Sequence, residues 1–215
     1  GNAGIRFTIT KETQDSFYAM FELCEELKVD KLYISHLVYS GRGKDNLEID
    51  ISKEQRRKYV EFIIDKAFEY YKNGNNIDLV TGNMEMDAIM LLDRFKKEYP
   101  DFVETLEQKL KAWGGNSAGY RLGNMDWAGN VKPDPFFPFV VGNYLETPFD
   151  EIWTSTSNDI LNKLREHPRQ IKGRCAQCKY IEICNGGSRS RAYAISGDLW
   201  EEDPSCYLTL EETRR

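Results

Sequence analysis

The sequence predicts an α/β protein that passes into a small, cysteine-rich α+β region. Three observations carry that prediction. Strand-like and helix-like apolar patterns alternate over residues 5–112. A glycine-rich turn, Gly114-Gly-Asn-Ser117-Ala-Gly119, then breaks the rhythm. Beyond it, four of the five cysteines crowd between Cys175 and Cys206. The expected division is therefore residues 1–113 and 114–215.

Ile5-Arg-Phe-Thr-Ile-Thr10 mixes β-branched and aromatic residues and reads as a strand. Thr13 can cap the helix behind it, in which Phe17, Met20, Phe21, Cys24 and Leu27 recur at three- and four-residue steps. Leu32 to Tyr39 is an apolar strand that runs into Ser40-Gly-Arg42-Gly43. Ser52 opens a long helix with Tyr59, Phe62, Ile63, Ala67 and Tyr70 on one stripe. Ile77–Thr81 is a third strand, closed by Gly82-Asn83. A third helix carries Met86, Ile89, Met90, Leu92 and Phe95 and stops before Pro100, and a fourth helical stretch covers roughly 102–112. Such a β-α-β-α-β-α order signals parallel strands with helical crossovers.

In the second region, Trp127-Ala-Gly129 marks a hairpin between Leu122–Asp126 and Asn130–Pro133. Pro133 to Phe139 is extended and aromatic. Asn158 starts a helix with Ile160, Leu161 and Leu164 that ends near His167, before Pro168.

Composition bounds the function. At 40% hydrophobic and 13% aromatic residues the chain is globular. A net charge of −6 argues against generic nucleic-acid binding. There is no apolar run of membrane-span length, no signal peptide is expected, and the cysteines are too few and too clustered for a secreted disulfide framework. A cytoplasmic location follows as the expectation. Cys24, on the apolar stripe of its helix, reads as a packed small hydrophobe.

The cysteine spacing is C-x2-C-x5-C-x21-C over Cys175, Cys178, Cys184 and Cys206. A C-x2-C pair turns two sulfurs the same way, and four soft thiolates suit a tetrahedral zinc or an iron–sulfur cluster. Zinc ribbons usually draw on two short-spaced knuckles. The long second step leans toward a cluster and leaves zinc open.

The run Cys-x2-Cys-x5-Cys-Asn-Gly-Gly-Ser-Arg-Ser-Arg-Ala, with Gly-Asp-Leu-Trp-x2-Asp-Pro-x-Cys behind it, resembles the SPASM-type region of radical SAM enzymes. Val140 to Trp153 resembles the segment preceding the cluster there. Within that group the chain is most similar to the NirJ-type family of haem d1 biosynthesis and its alternative-haem-pathway relatives, including at His36–Gly43 and Gly114–Gly119. The resemblance implies the second half of a partial (β/α)6 barrel followed by a SPASM/twitch-like auxiliary-cluster domain. The full SPASM pattern has seven cysteines for two clusters. Here Ser188 and Asp134 stand where it has cysteines, so the resemblance implies one auxiliary [4Fe–4S] cluster on the four that remain. Asp134, a hard donor, is expected to hydrogen-bond or face substrate.

The resemblance also implies S-adenosylmethionine as cofactor, an iron-containing tetrapyrrole as substrate and an electron-donor protein as partner. No C-x3-C-x2-C loop occurs in these 215 residues, so the radical-generating cluster is expected on a preceding segment and this stretch alone is expected to be inactive. Residues at the C-terminal ends of parallel strands are the site candidates. These are Thr8, Thr10, Thr81 and Asn83 toward S-adenosylmethionine, and His36 with Arg42 toward catalysis. Arg42, Ser117, Arg189 and Arg191 are candidates for substrate carboxylates, with Phe136, Phe137, Phe139 and Tyr144 as an aromatic wall. Each has a plainer reading: a strand histidine that packs, a solvated loop cation, an arginine that neutralises a cluster. A peptide-modifying radical SAM enzyme and a non-catalytic zinc or iron–sulfur module are the alternatives.

Overall fold

A computed structural model describes residues 3–214. Three parallel strands, β1 (Gly4–Ile9), β2 (Lys31–His36) and β3 (Asp78–Gly82), form one sheet in the order β1-β2-β3. Phe7 pairs with Ile34, and Ile34 with Thr81, so the strand ends come out together. Helices α1 (Phe17–Leu27) and α2 (Lys53–Asn73) cross between them. Alternation along the strands decides which face they cover: Ile9, Leu32 and Ile34 meet Phe17, Phe21, Cys24 and Ile63 in one buried cluster. Cys24 is fully buried there, in the packing role expected of it.

Local chemistry explains the boundaries. Ser52 caps α2 in a capping box with Gln55. Thr13 does not cap α1. Its hydroxyl donates to the Thr8 carbonyl and accepts from the Thr10 N–H, and the chain enters α1 through a 3-10 turn, Gln14–Ser16. Strand β2 ends at His36, three residues before the expected end. Its neighbours stop at Ile9 and Gly82, so Leu37 has no ladder to join, and its carbonyl accepts from Arg191 instead.

Helices α3 (Asp87–Glu98) and α4 (Val103–Trp113) follow β3. A separate antiparallel sheet of β4 (Asn124–Met125), β5 (Asn130–Lys132) and β6 (Gly142–Asn143) contains the expected hairpin. Beyond it lie α5 (Phe149–Thr154) and α6 (Asp159–Arg165), the latter capped by Asn158. The cysteine stretch holds α7 (Ile181–Cys184) and α8 (Arg189–Ser196), and α9 (Leu210–Thr213) closes the described chain. The two sheets are distinct, yet one apolar cluster crosses the Gly114 junction. Val60, Ile64, Met86, Ile89 and Leu92 pack with Tyr180, Ile183, Cys184, Tyr207 and Leu208.

Helix α8 has no apolar stripe; it buries Arg189, Ser190, Arg191 and Ala192. Ser188 is its cap, accepting the Arg191 N–H. The Arg191 guanidinium meets Asp203 at 2.7 Å with both side chains out of solvent. Asp203 also accepts the N–H groups of Ser188 and Ser205. Removing one partner of a buried, fully bonded pair costs about 3–5 kcal/mol, because the other charge stays behind. Asp203→Ala is therefore expected to lower unfolding stability by that amount in urea titrations, against about 1 kcal/mol for the cap variant Ser52→Ala. Equal losses would show that the pair does not hold the fold.

Candidate functional site

Two neighbouring features make up the site. The first is a crevice of about 440 Å³ at the C-terminal end of β3, on the sheet face opposite α1 and α2. Tyr33, Thr81, Asn83, Glu85, Asp87 and Trp113 line it from the first region, and Asn116, Ser117, Leu122, Asp134 and Phe136 from the second. Gly82 is required here, since a Cβ would lie 1.7 Å from the Tyr33 hydroxyl. Among the described residues, three carboxylates and no lysine or arginine line the crevice. Burial pushes the Asp134 carboxyl up to about 6, against the hydrogen bonds it accepts from the Phe136 and Phe137 N–H groups, with Glu85 adding to the rise. Asn116 donates to Glu85 at 2.9 Å, and the second Glu85 oxygen is buried without a partner.

The second feature is a small cavity lined by Cys175, Cys178, Cys184 and Cys206 with Met86, Arg174, Gly186, Leu208 and Thr213. C-x2-C places Cys175 in a 3-10 turn, Gly173–Gln177, and Cys178 just past it, while Cys184 ends α7. All four cysteines are free thiols. Burial pushes Cys175 up to about 12, with Cys206 and Cys178 adding to the rise and Arg189 opposing it. Burial raises Cys184 further, again with the other three sulfurs contributing. The Gly186 N–H donates to the Cys184 sulfur and the Leu208 N–H to that of Cys206. Among the described residues no three His, Cys, Asp or Glu side chains are gathered tightly enough for a single metal ion.

The features share a wall. Gly115 lines the crevice, and a Cβ on it would lie 2.4 Å from the Cys184 carbonyl. Of the residues singled out in the sequence, Thr81, Asn83, Ser117, Asp134 and Phe136 line the crevice, and the four cysteines line the cavity behind it. Thr8 bonds Ser35 across the strands and Thr10 bonds Thr13; neither lines the crevice. Arg42 is exposed on the turn Gly41–Lys44, away from the crevice lining. Arg189 and Arg191 are inside the protein, bonded to backbone carbonyls and to Asp203. The glycine loop's N–H groups at Gly114, Ala118 and Gly119 are committed to Leu110, Asn116 and the Leu122 and Pro133 carbonyls. Phe137 packs in a core cluster with Leu164 and Leu199, with Phe139 against it, and Tyr144 is half exposed.

His36 is buried, its Nε2 3.2 Å from Asp87, whose other oxygen accepts from Tyr207 at 2.7 Å. Asp87 is the member of that trio that reaches the crevice. Sequence reasoning missed Glu85, Asp87, Asn116 and Arg169. The strand-end rule reaches the first two if it is extended past Asn83 into the next helix.

No protein-family model matches the chain. It is 40% identical over 98% of its length to "Pre-heme d1 synthase" of Dinoroseobacter shibae and 37% identical over 97% to "Fe-coproporphyrin III synthase" of Methanosarcina barkeri. The chain spans about half of those relatives, 52% and 53%. Among solved structures, Streptococcus suis SuiB superposes with a TM-score of 0.63 when bound to S-adenosylmethionine. Its complex with the precursor peptide SuiA gives 0.66, in each case over 96% of this chain and 45% of that one, at 18% and 16% identity. The chain thus shares the α/β fold of these structures. More narrowly, the chain is a NirJ-like relative of the haem d1 and alternative-haem enzymes.

Asp134 supplies a pH test. Its folded value lies above the ordinary 3.8, so its neutral form favours the fold, and that contribution fades as pH rises from about 4 through about 6. Relative to Asp134→Asn, the wild type is expected to lose on the order of 2 kcal/mol of unfolding stability between pH 4 and pH 7. Parallel stability curves for the two proteins would remove Asp134 from this role.

Proposed function

We propose that this chain is the substrate-side part of a radical SAM enzyme of haem d1 or alternative-haem type, carrying one auxiliary [4Fe–4S] cluster. Residues 1–113 would serve as the second half of a partial (β/α)6 barrel and residues 114–215 as the SPASM-like domain. The observation that carries the reading is the convergence of Cys175, Cys178, Cys184 and Cys206 on one cavity, in a chain 40% identical to a haem d1 enzyme. The donor set fits the group. Four thiols, soft ligands with nothing harder among them, surround a space rather than a point, and two backbone N–H groups already point at sulfur. When bound, the cluster supplies a one-electron centre beside the crevice.

The chain's own residues then have distinct tasks. Trp113, Leu122 and Phe136 offer apolar and aromatic walls to a flat macrocycle. Thr81 and Asn83 present polar groups at the strand end, where S-adenosylmethionine and substrate would meet, and Ser117 faces them across the crevice. Asp134 and Glu85 can accept or hold a proton on a substrate N–H or acid group. With no cation in the lining, substrate carboxylates would be met outside this crevice, and Arg42 at the exposed turn keeps that role open. The location would be cytoplasmic; no described helix is long and apolar enough to cross a membrane.

The test is elemental. Anaerobically reconstituted protein is expected to hold about four iron and about four sulfide per chain, with a broad visible band. Cys24→Ser should leave that content unchanged, because Cys24 packs in a different core cluster, while Cys184→Ser should abolish most of it. Tight zinc without iron after anaerobic purification, or twice the iron, would overturn the assignment.

A further inference from the structure

Four arginines are almost wholly removed from solvent: Arg56, Arg189 and Arg191 at 1% exposure or less, and Arg169 at 2%. A buried guanidinium keeps its proton and so demands a counter-charge. Two have one: Arg56 meets Asp50, and Arg191 meets Asp203, each at 2.7 Å. Arg169 and Arg189 form no ion pair among the described residues. Every bond they make is to a neutral oxygen. Arg189 donates to the carbonyls of Leu199 and Glu201 at 2.7 and 2.6 Å, and to those of Gly186 and Gly187. Arg169 donates to the Leu164 carbonyl at 2.8 Å, to the Asn116 amide oxygen and carbonyl, and to Ala118.

Neither guanidinium lines the cysteine cavity itself, but both residues are bonded to the stretch that follows Cys184. Gly186 lines the cavity, gives its N–H to the Cys184 sulfur and its carbonyl to Arg189, so one residue separates that guanidinium from a thiol. The Arg169 backbone N–H donates to the side-chain oxygen of Asn185, the residue after Cys184, at 2.7 Å. The carboxylates in reach form no ion pair with either: Asp203 is bonded to Arg191, and Glu85 accepts from Asn116 through one oxygen. Glu85 and Asp134 act on Arg169, and Asp203 and Glu85 on Arg189, only through the field, and burial with the like charge of Arg189 drops Arg169 to about 10.

We propose that Arg169 and Arg189 are the counter-ions of the auxiliary cluster and set its reduction potential, an inference that rests on the four-cysteine reading above. Four thiolates on a [4Fe–4S] core carry a net charge of about −2, and one added electron makes it about −3. Two fixed cations in a low-dielectric wall favour the added electron and raise the potential. Arg169 further ties the residue after Cys184 to Asn116 in the wall of the crevice.

The experiment is a redox titration of the anaerobically reconstituted protein, followed by electron paramagnetic resonance. Arg169→Gln and Arg189→Gln, loaded with iron and sulfide to the wild-type level, should each be about tenfold harder to reduce, about 59 mV more negative for a one-electron couple. Arg169→Lys and Arg189→Lys keep the charge and should stay within about threefold of wild type. Glutamine variants with full cluster content and the wild-type potential, or a positive shift, overturn the inference while leaving the cluster reading intact. If a glutamine variant does not load, the lysine variant decides: a wild-type potential supports the charge argument, and a tenfold loss overturns it. A wild-type protein that takes up no iron and sulfide overturns the cluster reading itself, and the inference with it.

Discussion

The buried pair of Arg191 and Asp203 holds the cysteine region in shape. Asp203 accepts from the Arg191 Nε and Nη2 and from the N–H groups of Ser188 and Ser205, so its charge is fully hydrogen-bonded inside the protein. Those contacts join three pieces that lie far apart in sequence. Ser188 and Arg191 start α8 directly after Cys184, Ser205 precedes Cys206, and Arg191 reaches the Leu37 carbonyl at the end of β2. The packing tolerates no addition: a Cβ on Gly187, whose φ is +67°, would lie 2.6 Å from Asp203. A carboxylate with fewer partners would not offset its desolvation, and the Cys206 arm would have no anchor.

Crevice and cysteine cavity are two sides of one wall. Gly115 takes a positive φ of +68° and sits against the Ile183 and Cys184 backbone, where no side chain fits. The loop that faces the crevice therefore cannot shift without moving a cysteine. Below it, α7 packs against α3 and α4 in the apolar cluster that spans the junction. This coupling is a matter of close packing, since interiors of ordinary density transmit displacement rather than absorb it.

A second polar link runs through the core. His36 at the end of β2, Asp87 at the start of α3 and Tyr207 next to Cys206 form a buried chain, in which burial and the Asp87 carboxylate drive the Tyr207 hydroxyl well above its ordinary value. Tyr39 does similar work at the surface side, bonded to Asp50 at 2.5 Å and Ser205 at 3.0 Å, with Asp50 in turn held by Arg56. Strand ends that would face substrate are thereby fastened to the residues flanking Cys206 on both sides.

Much of this was legible in the residues themselves. Periodicity located the three strands, the four helices of the first region and the hairpin. Spacing and neighbouring motif residues singled out the four cysteines and the family they resemble. These are local signals, because an amphipathic stripe or a C-x2-C turn is written within a few consecutive positions. What the sequence could not decide was the fate of its charged residues. Helix α8 escaped notice because it buries arginines in place of an apolar stripe, and Arg189 and Arg191, which read equally as ligands for substrate carboxylates, as neutralisers of a cluster or as surface charges, are interior cations. Arg42 and Arg191 are the same residue type beside glycine or serine, yet one is exposed and one has no exposure at all. Whether a charge is solvated, paired or left to seek a counter-ion depends on segments that meet only in the folded chain: Asp203 for Arg191, Asn116 and Leu164 for Arg169. Local sequence sets the elements, and the tertiary contacts alone determine the dielectric and the partners that give each charge its role.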